Sequence, residues 1–95
     1  MTRIKVKYLG NFRYVTGQEE ETIEINGNTI QDVVDELKTR HGEAFLEEIM
    51  DLKTRKLLSS FVFLLNGSNV FSLGGLEAKV KRDDCITFVA MVGGG

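Results

Sequence analysis

Residues 21–42, ETIEINGNTIQDVVDELKTRHG, hold a strand, a break and a helix in that order. In TIEI (22–25), Ile23 and Ile25 alternate with polar residues, which is the period of two of a half-buried strand. Asn26-Gly27-Asn28 interrupts it. Thr29 then stands where a helix N-cap belongs, and Asp32 at the third helical position makes an approximate capping box. Ile30, Val33, Val34 and Leu37 follow the i, i+3, i+4, i+7 spacing of an amphipathic helix. Arg40 and His41 fall in its last turn, where cations suit the dipole, and Gly42 fits the C′ position. A strand handing over to one well-capped helix predicts an α+β domain with that helix across one face of a sheet.

Outward from this stretch the pattern extends both ways. Ile4, Val6 and Tyr8 alternate with Arg3, Lys5 and Lys7, a second half-buried strand, and NFRYVTGQEEE (11–21) reads as the long loop of a hairpin. Downstream, EAFLEEIM (43–50) carries Phe45, Leu46, Ile49 and Met50 and predicts a short helix over the sheet edge. DLKTRKLLSS (51–60) reads as a polar excursion. FVFLL (61–65), apolar throughout and closed by Asn66-Gly67, predicts a strand covered at least in part on both faces. The segment 66–80 is turn-rich, and KRDD (81–84) turns the chain into a last strand, CITFVAM (85–91). The order β-β-α-(α)-β-(β)-β, with first and last strands parallel if adjacent, is that of a mixed-sheet β-grasp domain. It occupies residues 1–92, with 93–95 as a glycine tail.

Composition narrows the function. Ninety-five residues, 42% hydrophobic and 27% charged, fit one soluble domain with one modest core. A net charge of −2 and a pI near 5.4 argue against a nucleic-acid binder and suit a partner with a basic rim. Cys85 has no intrachain partner, and with His41 makes no metal-ligand set. No run reaches the length of a membrane span and no signal-peptide core is present, so a cytoplasmic protein is expected. LGGL (73–76) lacks phosphate-loop spacing and predicts a tight turn needing positive φ. His41 has no catalytic companion at a recognisable spacing and is expected to be solvated at the helix end. Cys85 is expected to pack as a small hydrophobe. EEE (19–21) and KTRK (53–56) read as solvated loop charge. No metal or cofactor set and no catalytic constellation is present, so the side chains predict no enzyme.

That leaves Gly93-Gly94-Gly95. A glycine chain is the thinnest polypeptide and threads a narrow channel, so a carboxylate at Gly95 is itself the candidate reactive group, open to activation by ATP as an acyl-adenylate. Residues 64–95 are similar to the end of the small subunit of molybdopterin synthase, the MoaD family. Asn66-Gly67, Gly74-Gly75-Leu76, Asp84, Ile86 and the terminal Gly94-Gly95 fall on its pattern. IKVKYLGNFRYVTG (4–17), with Arg13 and Gly17, is similar to the family's opening strand, and residues 21–37 to its second strand and capped helix.

The resemblance implies a ubiquitin-like β-grasp sulfur carrier. In such carriers the C-terminal glycine is adenylated by an E1-like (MoeB-like) enzyme using ATP and converted to a thiocarboxylate. It then donates sulfur in the large, MoaE-like synthase subunit. The carrier itself binds no cofactor. By the same resemblance Leu9 and Val89 belong to an apolar patch that docks on both partners, and Met91 and Val92 lead into the channel. Two departures stand out: Val89-Ala90-Met91 replaces Phe-Pro-Pro, and Asp83 replaces a turn glycine. Ubiquitin-like modifiers that conjugate to lysines, and carriers for tRNA thiolation or thiamin synthesis, share the fold and the Gly-Gly end and remain alternatives.

Overall fold

The computed structural model describes residues 1–90. β1 (Thr2–Leu9) and β2 (Glu20–Ile25) form an antiparallel hairpin, and the main helix α2 (Ile30–His41) follows. The last strand β7 (Cys85–Ala90) runs parallel beside β1 and antiparallel to β5 (Phe61–Leu65), whose outer neighbour is the two-residue β6 (Ser68–Asn69). The sheet order β2-β1-β7-β5-β6 is the ubiquitin-like β-grasp.

The period-two pattern produces a sheet with one buried face. Ile4, Val6 and Tyr8 of β1, Ile23 and Ile25 of β2, Phe61, Phe63 and Leu65 of β5, and Ile86 and Phe88 of β7 turn inward. They meet Ile30, Val33, Val34 and Leu37 of α2, and Phe45, Leu46 and Ile49 of α3 (Glu43–Ile49). Phe88 lies at the centre, stacked on Phe63 and Tyr8 and edge-on to Phe45. The predicted cap is present in full: Thr29 Oγ1 accepts from the Asp32 N–H, and the Asp32 carboxylate accepts from the Thr29 N–H.

Two segments depart from the sequence reading. The loop expected over 11–21 contains α1 (Asn11–Thr16), and β2 already begins at Glu20. Gly10 at φ 65° turns the chain, Phe12 inserts into the core, and the Gly17 N–H closes the helix on the Arg13 carbonyl. A turn and a half of helix with Phe12 and Val15 as its apolar residues leaves no periodic signal. The polar excursion 51–60 contains a ribbon of β3 (Met50–Asp51) and β4 (Lys56–Leu57). Elsewhere the turn chemistry follows expectation. Gly74 and Gly75 both have positive φ, and Asn66-Gly67, at 50° and 85°, makes the tight β5–β6 turn. Asp83 takes φ 70°, so the glycine-like geometry persists without the glycine.

Candidate functional site

The sheet's other face follows from the same alternation. Lys5, Lys7 and Leu9 of β1, Cys85, Thr87 and Val89 of β7, and Val62 and Leu64 of β5 point away from α2 and α3. Register places Leu9 beside Val89 and Val89 beside Val62, so three apolar side chains cross three strands in one row. Leu9 is 47% exposed and Val89 and Val62 are half-buried, which separates this row from the core. Val62 also lines a cleft of about 300 Å³ with Ser59, Phe61, Asn69 and Phe71, where Phe71 adds exposed apolar surface. Contiguous apolar exposure of this kind on a small domain marks a contact surface. Cys85, expected to be packed as a core hydrophobe, is instead half-buried on this outer face.

The row ends where the described chain ends. Ala90 pairs with Phe61, and Gly10 presses against it: a Cβ on Gly10 would stand 3.1 Å from the Ala90 Cβ. A glycine is needed here for both the positive φ and the space. Met91, Val92, Gly93, Gly94 and Gly95 lie outside the described residues.

On the buried side, sequence reasoning missed a polar cluster. His41, expected to be solvated, and Glu21, expected to be loop charge, are both buried, with side chains 9% and 8% exposed. The Glu21 Oε2 accepts a hydrogen bond from the Tyr8 hydroxyl (2.5 Å) and lies 2.6 Å from His41 Nε2. Arg40 bridges Glu21 Oε1 (3.4 Å) and Glu36 (2.8 Å). The His41 ring packs edge-on to Tyr8 and tilted against Phe45. Burial would raise the Glu21 carboxyl, but the hydrogen bonds from Tyr8 and His41, with the charges of His41 and Arg40, hold it below the usual range. Burial first, then the carboxylate, push the Tyr8 phenol well above its ordinary value. Both residues carried a readable signal. Glu21 continues the inward parity of Ile23 and Ile25, and His41 sits four residues beyond Leu37 on the buried helix stripe. The cluster ties β1, β2 and α2 together through these bonds.

No helix of the described chain is long and apolar enough to cross a membrane. Comparison with curated proteins finds no significant sequence match. Solved structures are informative. The small archaeal modifier protein 1 of Methanosarcina acetivorans is 28% identical over 100% of this chain and 98% of its own, with a TM-score of 0.80. The putative molybdopterin converting factor subunit 1 of Pyrococcus furiosus is 29% identical over 97% and 100%, with a TM-score of 0.73. A chain of the Amycolatopsis orientalis BexX/CysO complex is 29% identical over 97% and 99%, with a TM-score of 0.76. The model of the ThiS family matches residues 6–95, from the first strand through the terminal glycines. With the β-grasp sheet and the outward apolar row leading to the tail, this chain belongs to the ThiS family, whose fold is that of the small ubiquitin-like sulfur carriers.

Proposed function

We propose that this protein is the sulfur-carrier subunit of a molybdopterin synthase, with Gly95 as its reacting residue. The observation that carries this is the family match running through Gly94-Gly95. Likeness to the Pyrococcus furiosus protein supports the molybdenum cofactor pathway in particular. In the proposed cycle the Gly95 carboxylate attacks the α-phosphorus of ATP in an E1-like enzyme and releases pyrophosphate. A sulfur nucleophile then displaces AMP to leave a thiocarboxylate. A large synthase subunit receives the tail, takes the sulfur onto the pterin precursor, and hydrolysis restores the carboxylate. The chain is thus a co-substrate of its partners rather than an enzyme. Leu9 and Val89 are proposed to contact both partners, with Met91 and Val92 at the channel mouth.

The test is intact mass after incubation with an E1-like enzyme, ATP and a sulfur source. Exchange of one oxygen for sulfur is expected, and its absence with a competent enzyme would overturn the reading. Gly94→Ala should slow transfer severely, because a Cβ widens the chain and restricts φ, whereas Gly93→Ser should be tolerated. Deleting Gly95 withdraws the carboxylate by about 3.5 Å, far more than the misplacement that can cost a hundredfold in rate. Full transfer by a chain ending at Gly94 would instead make Gly93-Gly94 the working pair.

Likeness to the archaeal modifier favours a second reading, in which the activated Gly95 is captured by a target lysine. An isopeptide-linked Gly95 in whole-cell peptide digests distinguishes it.

A further inference from the structure

The segment Lys53-Thr54-Arg55-Lys56, read from sequence as solvated loop charge, is an anchored structure. β3 and β4 pair Met50 with Leu57 and Asp51 with Lys56. Met50 is buried in the core, and Leu52 and Leu57 pack against it. The Asp51 carboxylate accepts the Lys53 and Thr54 N–H groups at 2.8 and 3.2 Å, and the Asp51 carbonyl accepts the Arg55 N–H at 2.8 Å. Arg55 is held at φ 62°. Lys53, Arg55 and Lys56 are all exposed, and among the described residues none forms an ion pair, unlike Lys5, Arg13 and Arg40.

The ribbon's place in the fold gives these charges meaning. Leu57 lies four residues before Phe61, the partner of Ala90, so about 14 Å at most separates the ribbon from the strand beside the tail's base. Leu58 donates to the Ile49 carbonyl, and Glu48 of the preceding helix bonds Asn11, just beyond Leu9 and Gly10. The base of the ribbon, from which the cations project, therefore stands at the end of the domain where the last described residue, Ala90, lies. A protein that takes the tail into its active site approaches this end.

We propose that the β3–β4 ribbon is a steering element that meets an acidic rim on the E1-like enzyme receiving the tail. The inference rests on the carrier reading above and specifies its partner. Charged groups at an interface rim act chiefly on encounter rate and orientation. The whole-chain charge of −2 pointed to a basic rim on the partner; the ribbon tip, where Lys53, Arg55 and Lys56 outnumber Asp51, points locally to the opposite sign. RNA fits less well, because residues 50–60 carry no aromatic side chain for stacking and the chain has no basic surplus.

The experiment measures binding of the full chain to its E1-like enzyme, and adenylate formation, from about 50 mM to about 300 mM salt. The parent should bind less tightly as salt rises. Lys53→Glu with Arg55→Glu and Lys56→Glu should weaken binding at low salt on the order of tenfold or more and reverse the salt dependence, because salt then screens a repulsion. KM should rise while kcat holds. The glutamine triple variant, a milder change should the reversal unfold the domain, should fall between the two. If the reversed variant binds and is adenylated like the parent, the steering role is wrong while the carrier reading stands. If the parent is neither bound nor adenylated, both fall. A tRNA mobility shift lost on reversal, with enzyme affinity unchanged, would reassign the ribbon to RNA and overturn the proposal.

Discussion

The two faces of one sheet use the same alternating strands for opposite ends. On the inner face Tyr8 is fully buried, and its hydroxyl, the one polar atom it carries inward, is met by Glu21, itself satisfied by His41 and Arg40. On the outer face, one residue further on, Leu9 is left half in water beside Val89 and Val62. Inside, a polar group is tolerated because every hydrogen bond it needs is supplied; among the described residues no buried side-chain polar atom lacks a partner. Outside, apolar groups remain partly in water, which suits the partner contact proposed for them. A residue's polarity therefore does not by itself say which side of the fold it serves.

The strongest way to break this contrast is Glu21→Ala. It strands the Tyr8 hydroxyl and the His41 ring in a buried site, and should cost about 3 kcal/mol of unfolding free energy in a denaturant titration. Partner affinity should stay unchanged. A loss under about 1 kcal/mol would mean that water replaces the carboxylate and the cluster is not structural.

Next in size is the acid limb of stability. Because the folded state holds Glu21 below its ordinary value, its contribution is present above the unfolded carboxyl range and is lost as pH falls through the folded value. The stability gap between the parent and Glu21→Gln should therefore be widest near neutrality and narrow on acidification. A gap that does not change with pH would place the titration elsewhere.

Leu9→Asp probes the other face. The domain should keep its fold, losing less than about 1 kcal/mol, because Leu9 contributes little to the core. Affinity for the E1-like enzyme should fall at least about tenfold, the scale of a contact residue at the centre of an interface. A Leu9→Asp variant that unfolds would move Leu9 to the core, and one that binds normally would remove it from the contact surface.

Asp83→Gly should have the smallest effect, within about 0.5 kcal/mol in the same titration. Glycine relieves the left-handed conformation of Asp83 but adds unfolded-chain entropy, and the two oppose. A larger gain would show that the aspartate strains the turn leading into the last strand.

Much of this was legible along the chain. The alternation of Ile4, Val6 and Tyr8, the spacing of Ile30 to Leu37, the Thr29 cap and the glycines of LGGL act over a turn or a strand, so neighbours in sequence suffice to show them. The family pattern, read as residues in order, added the tail and its candidate role. The ribbon and α1 were not legible, since two-residue strands and a turn and a half of helix are held by Met50 and Phe12 entering a core built from distant segments.

The sequence by itself determined the main strands, the capped helix and their order, because each rests on local backbone preference, and it supplied the glycine terminus on which the proposed role rests. Only the tertiary structure decided which side chains meet. Tyr8 reaches Glu21 across 13 positions and Glu21 reaches His41 across 20, and Leu9 lies beside Val89 because the first and last strands pair in parallel. Strand register and helix docking bring such groups within bonding distance, and these are set by burial of the whole core rather than by any segment in it.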